Sequence, residues 1–282
     1  MTSSCESGSV PNSAAAEMIE VRDCIEILGG NESRTELRTV AGIEVLLVAR
    51  PAGAPSGGDI YCLHSCGHGT LAKFVLLDLT GHGRERDLIA RTVHELLHQY
   101  STETSPAQLL EMLNRTYDRL GLRAILASVV GATFDPSLGL FRFSNAGQPR
   151  PLRWSARRHQ WAFLMPVQES DCGLPLGVTA AACYEEETVS LSPGDTLFWF
   201  SDGLPETRNA AEEFLEPEGV LQLAQDCTDE IGAASPLATL GHAFLRRLEQ
   251  FRGGMDFQDA VTLLWARRLP VERAAGASAE PG

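Results

Sequence analysis

A chain of 282 residues with 44% hydrophobic side chains carries enough apolar material for a sizeable core in one or two domains. Its formal net charge of −14 excludes a nucleic-acid footprint, and it would repel phosphate-bearing ligands unless bound cations reversed the local field. Seven scattered cysteines, no signal-peptide pattern after Met1 and no apolar run near the roughly 18 residues of a membrane helix lead to the expectation of a soluble, cytoplasmic chain with reduced thiols and no membrane partner.

Residues 1–16 are Ser-, Gly- and Pro-rich and read as an unstructured tail. Within 17–39 an N-terminal helix and linker are expected, because Met18, Val21, Ile25 and Leu28 share one helical face and Gly29-Gly30 supplies a stop. Residues 43–49 read as a strand, followed by a loop through Pro51, Pro55 and Gly57-Gly58 into Asp59. Two strands, 60–63 and 71–79, flank Gly67-His68-Gly69. Cys62, His64, Cys66 and His68 alternate along this stretch. Four successive alternate side chains lie on a line and cannot close a tetrahedron, so a zinc site is rejected.

The apolar run Phe74-Val75-Leu76-Leu77 ends in Asp78-Leu79-Thr80-Gly81-His82-Gly83, a strand delivering a carboxylate to its own C-terminal mouth beside glycines. A helix is expected over 87–100. His94 and His98 sit four apart on it, but nothing completes a metal motif around them. Ser105-Pro106-Ala107-Gln108 opens a second helix with a serine cap and a proline at its first position. Strand character returns over 125–134 and 140–144, breaks at Asn145-Ala146-Gly147-Gln148-Pro149, and resumes as two short strands around Arg157-Arg158. A rigid loop, Gly173-Leu174-Pro175-Leu176-Gly177, leads to strands over 187–191 and 196–201, separated by the turn Ser192-Pro193-Gly194-Asp195. Asp202-Gly203 closes the second of these. Helices over 219–227 and 235–252 come next, then Asp259 and a last strand over 260–267. The segment 270–282 reads as a second unstructured tail, which leaves one domain over 40–269.

Strand clusters before, between and after paired helices predict an α+β domain, an αββα layered sandwich of two antiparallel sheets flanked by helices. In such a sandwich Asp59, Asp78, Asp202 and Asp259 each stand where a strand begins or ends beside a glycine or a turn. Carboxylates gathered at one rim repel each other, which raises their pKa values or demands cations between them. Oxygen-only ligands suit Mg²⁺ or Mn²⁺, and a pair of such ions suits hydrolysis of a phosphate ester by in-line attack of a metal-bridging hydroxide. The plain alternative is that each aspartate caps a turn.

Seven motifs in this order carry a resemblance: Gly57-Gly58-Asp59, Asp78-Leu79-Thr80-Gly81-His82-Gly83, Asn145-Ala146-Gly147, Gly173-Leu174-Pro175-Leu176-Gly177, Ser192-Pro193-Gly194-Asp195, Ser201-Asp202-Gly203 and Asp259-Ala260-Val261-Thr262. The chain thus resembles SpoIIE/RsbU-type phosphatases of the metal-dependent PPM (type 2C) class over 40–269. The resemblance implies two Mn²⁺ or Mg²⁺ ions and dephosphorylation of phosphoserine or phosphothreonine on a regulatory protein of the anti-sigma-factor-antagonist type. It implies Asp78 and Asp59 as the catalytic carboxylates, and Asp59, Asp78, the Leu79 carbonyl, Asp202 and Asp259 as metal ligands. His82, Gly83, Asn145, Gly203 and Asn209 are candidates for supporting or substrate contacts. Arg84, Arg150 and Arg208 are candidates for a phosphate clamp.

Three departures stand out: Cys62 replaces a second acidic residue, Gln148 a histidine, and Ala260 the second of two aspartates. They leave open a degenerate phosphatase acting as a phosphoprotein-binding module; a small-molecule phosphoesterase is the other alternative. Only about 40 residues precede the catalytic unit, so an activating protein is expected to act at the N-terminal region or on the helix at 87–100.

Overall fold

The computed structural model describes residues 26–29, 32–52, 58–66, 71–80, 84–122, 125–164 and 173–270. The first six-stranded sheet contains β1 (Glu26–Gly29), β4 (Asp59–Cys66), β5 (Leu71–Leu79), β6 (Ala127–Asp135), β7 (Leu140–Ala146) and β10 (Glu187–Ser190), neighbouring in that order. The second contains β2 (Arg34–Val40), β3 (Ile43–Arg50), β12 (Val261–Arg268), β11 (Thr196–Phe200), β8 (Leu152–Ser155) and β9 (Gln160–Phe163). Every pairing is antiparallel. Helices α1 (Arg84–Gln99) and α2 (Pro106–Arg119) cover the first sheet; α3 (Glu216–Ile231) and α4 (Leu237–Arg252) cover the second. The αββα sandwich is as the sequence predicts.

The long apolar runs follow from this layering. A strand in either sheet is buried on both faces, so its alternate residues enter two different cores. Along β5, Ala72, Phe74 and Leu76 point between the sheets, while Val75, Leu77 and Leu79 meet α1 and α2. Along β11, Leu197 and Trp199 point inward, and Phe198 and Phe200 pack under α3 and α4. Phe198 stacks on Trp265 with ring centroids 4.3 Å apart, fixing β11 to β12. The Ser105 cap forms as read: its hydroxyl accepts the Gln108 N–H, with Pro106 opening α2.

The N-terminal region differs from expectation. Residues 26–29 are a strand, in register with β4 from Gly29 opposite Tyr61 to Glu26 opposite His64, and 34–40 are strand β2 rather than linker. Ile27 and Leu28 satisfy a short edge strand as readily as a helical face, and pairing with β4 decides between them. The rest of the expected helix, the 1–16 tail and the 270–282 tail after Pro270 lie outside the described residues. The alternating Cys62 and His64 lie on β4 as strand residues, and Cys62 is buried against the helical layer. Among the described residues no helix is long and apolar enough to cross a membrane.

Candidate metal centre

Strand parity brings the acidic residues together. On β4, Tyr61 and Leu63 face the inter-sheet core, so Asp59 at the strand start faces the same way. On β5, Asp78 shares the parity of Phe74 and Leu76. The register sets Asp59 directly opposite Asp78, two carboxylates side by side on the inner face at the sandwich rim. Across the gap, Ser201 directly follows β11 and by parity also points inward, and β12 supplies Thr262. The Ser201 hydroxyl donates to Asp59 Oδ2 at 2.8 Å and accepts the Thr262 N–H at 2.9 Å, linking the two sheets at this rim. Asp202 follows immediately. Asp259 precedes β12 and accepts the Ala260 N–H at 2.7 Å.

Two glycines are required by close approach. A β-carbon on Gly58 would collide with Asp78 Oδ1 and stand 2.9 Å from the Leu79 carbonyl oxygen. The Asp78 carboxylate and that carbonyl therefore converge over Gly58, as expected of a side-chain and backbone ligand pair. A β-carbon on Gly203 would run into the Ala260 carbonyl. Gly203 thus lets the turn after Asp202 lie against the chain leaving Asp259.

The electrostatics agree. Asp59 is 1% exposed. Burial, then the neighbouring Asp78 charge, hold its pKa well above the carboxylate range; hydrogen bonds from Thr262 and Ser201 oppose this, and Asp202 adds to the rise. Asp202 is pushed up to about 6 by burial, then by Asp259 and Glu206. These interactions link the four aspartates in the order Asp78, Asp59, Asp202, Asp259.

Do these residues fit hard cations? Among the described residues no three His, Cys, Asp or Glu side chains surround one point closely enough to cage an ion as they stand. Mg²⁺ needs no such cage, because it keeps several waters and takes only one or two carboxylates. The positive signs are specific. Asp59 Oδ1 and Asp202 Oδ1 are buried with no hydrogen-bond partner. The donor set is all oxygen, and the Gly58 cradle gathers a carboxylate and a carbonyl. The set fits.

The other candidates divide. Asn145 is 7% exposed and clips its own turn, donating to the Gln148 carbonyl and accepting the Gln148 N–H, each at 2.8 Å. Gln148 Nε2 in turn donates to the Ser128 hydroxyl at 2.9 Å, and Ser128 pairs with Asp78 across β5 and β6. Asn209 organises the loop after the rim, binding Glu213 Oε2 and the Ala211 N–H. Arg208 is occupied with Glu212 and the Phe214 ring, and Arg150 lies over Phe163. His82, Gly83 and the Arg84 side chain lie outside the described residues. Sequence reasoning missed Ser201 as a strut. The available signal was a small hydroxyl closing an otherwise apolar strand next to Asp202.

Residues 68–269 match the family model described as Stage II sporulation protein E (SpoIIE). The chain belongs to this family, that is, to the SpoIIE/RsbU-type domains of the PPM phosphatase class. No curated protein sequence matches it closely enough to count as a relative. Among solved structures, the RsbU and RsbW domains of Rv1364c from Mycobacterium tuberculosis superpose with a TM-score of 0.66 at 23% identity, covering 82% of this chain and 61% of that one. The SiaA-PP2C domain of Pseudomonas aeruginosa gives 0.62 at 18%, covering 80% and 85%. RsbX in complex with magnesium gives 0.59 at 13%, covering 83% and 99%. These likenesses are of fold. The chain spans about three fifths of the mycobacterial relative's length.

Proposed function

We propose that the chain is a metal-dependent protein phosphatase that hydrolyses phosphoserine or phosphothreonine on a regulatory protein. The observation that carries this reading is the Asp59–Asp78 pair, set opposite each other in register on the inner rim, with Asp59 Oδ1 and Asp202 Oδ1 buried and unbonded. Family membership and the magnesium-bound RsbX relative support the choice of divalent ion. Asp59, Asp78, the Leu79 carbonyl, Asp202 and Asp259 would hold two Mn²⁺ or Mg²⁺ ions. Such ions, when bound, supply Lewis acidity and lower the pKa of water enough to give a nucleophile near neutral pH.

The chain's own residues do the rest. Ser201 and Thr262 fix the rotamer of Asp59, so that Oδ2 is held by the protein and Oδ1 faces the rim. Gly58 and Gly203 leave the backbone bare where carboxylate and carbonyl oxygens approach. The crowded aspartates repel one another, a repulsion that bound cations or protonation would relieve.

The departures from the family pattern leave all four aspartates in place. Cys62 faces the helical layer, and Gln148 is tied to Ser128. Ala260 is buried beside Gly203. None of the three removes one of the four aspartates, which favours an enzyme over a degenerate binding module. Partner switching supports an anti-sigma-factor antagonist as substrate, since the mycobacterial relative joins an RsbU domain to an RsbW domain. An activating protein at the N-terminal region belongs to the same reading. Strand β1 offers it a direct line, being paired to the strand that starts at Asp59.

The test is turnover of a phosphoseryl antagonist protein and of para-nitrophenyl phosphate with Mn²⁺ and with EDTA. Turnover of both substrates, abolished by EDTA, supports the reading. Turnover of the small substrate alone would assign a small-molecule phosphoesterase, and none with either would assign a binding module.

A further inference from the structure

A second charged feature lies at the opposite end of β11 from the acidic rim, roughly 20 Å away along the strand. Three of the chain's 23 basic residues, Arg153, Arg157 and Arg158, fall within six positions on the β8–β9 hairpin. Beside them is a cleft of about 550 Å³ whose lining includes Arg153, Arg157, Arg158, Gln160, Phe163 and Ser192. That volume is within the usual range for a small-ligand site.

Among the described residues the charge in the cleft is uncompensated. Asp195 is the carboxylate in its lining, and it is fully engaged: Oδ2 takes Arg153 at 2.7 Å and the Ser192 N–H at 3.0 Å, and Oδ1 takes the Ala156 N–H at 2.8 Å. The Arg153–Asp195 pair cancels. Arg153 Nε is buried with no hydrogen-bond partner. Among the described residues Arg157 and Arg158 have no carboxylate partner, so two guanidinium charges remain in a chain of net charge −14.

A tight backbone turn closes the hairpin. The Arg158 and His159 N–H groups both bond the Ser155 carbonyl, at 3.1 and 2.9 Å. His159 is held at φ 53°, in the left-handed region that costs a non-glycine residue roughly 1 kcal/mol, and its ring meets Trp154 edge-on at 6.0 Å. This backbone turn sets Arg157 and Arg158 beside the cleft, where both side chains are exposed. Guanidinium forks are the preferred protein group for bidentate binding of phosphate oxygens.

We propose that this cleft is a binding site for a phosphate monoester dianion, separate from the metal rim, with Arg157 and Arg158 as the charge-bearing ligands and Gln160 and Ser192 as neutral donors. The site does not rest on the phosphatase reading. It is tested in EDTA, where the acidic rim alone repels phosphate.

Inorganic phosphate is titrated into isotope-labelled metal-free protein, with amide shifts followed by NMR. The expected result is saturable shifts confined to 150–164 and 190–195, with a dissociation constant that rises about tenfold or more in R157A/R158A. An amide spectrum of that variant that overlays the wild-type spectrum outside 150–164 and 190–195, with an unchanged melting temperature, shows the fold intact. O-phosphoserine binding as well as a phosphoseryl peptide assigns a free small phosphate; a peptide preference of tenfold or so assigns a protein-borne one. An unchanged dissociation constant in R157A/R158A, shifts centred elsewhere, or no saturable shift overturns the proposal.

Discussion

Two aspartates that share the interior of this sandwich have opposite fates. Asp195, just before β11, is 2% exposed, and Asp59, at the rim where β11 ends, is 1% exposed. Asp195 has an arginine and two backbone N–H groups. Asp59 has a serine and a threonine for support, faces two other aspartates, and keeps Oδ1 unbonded. Burial is the same; partners differ. A buried carboxylate with its charge matched holds a turn, whereas one surrounded by its own kind stores a demand for cations.

Exchanging the chemistry at each end separates the two roles. Asp78→Asn removes one of the facing charges at the rim. Turnover should fall on the order of 10³-fold while the melting temperature without metal holds or rises, because a like-charge repulsion is gone. Thermal melts with EDTA alongside the assay check this; full activity would break the contrast. Asp195→Ala should do the reverse. It leaves Arg153 without its partner and the turn donors empty, costing about 3 kcal/mol of stability by chemical denaturation, with ion binding unchanged per folded molecule.

The rim also predicts a pH dependence with a definite sign. Asp59 and Asp202 have folded-state pKa values above their unfolded ones. Below the unfolded value both states are protonated and the stability is fully present; it is lost as pH rises through the folded value, about 6 for Asp202. Metal-free protein should therefore lose on the order of 2 kcal/mol between pH 4 and about 7, and added Mn²⁺ should restore it. Denaturation in EDTA across that range measures it, and stability rising with pH would contradict the crowding. The smallest effect belongs to Gly58→Ala. Its β-carbon would push Asp78 Oδ1 off the Leu79 carbonyl and weaken ion affinity about tenfold, with the far turn at Asp195 untouched.

Much of this was legible from sequence. Double-sided burial made β5 and β11 read as continuous apolar runs, and the aspartate closing each run marked the rim. Strand β1 was not legible, because four residues with two adjacent apolar side chains suit either period and only pairing with β4 decides. The opposition of Asp59 and Asp78 is a matter of register, a property of the paired strands that neither residue's immediate neighbours reveal. The Ser201–Asp59 bond joins residues 142 positions apart, and Arg153 finds Asp195 across 42. Contacts of that separation come from sheet order, so the sequence offered the groups without their partners.

A truncation that tests the proposed N-terminal activation has to spare β1. Removing 1–30 would strip β1 from β4 and bare an edge beside the strand of Asp59, whereas removing 1–25 leaves the pairing in place.

Ion stoichiometry by titration calorimetry, in wild type and Asp78→Asn, reaches the central claim most directly. Two Mn²⁺ per wild-type chain and a lost or singly occupied site in the variant are the result the facing aspartates require. The same stoichiometry and affinity in both proteins, or no binding to the wild type, would mean that the acidic rim is not a metal centre.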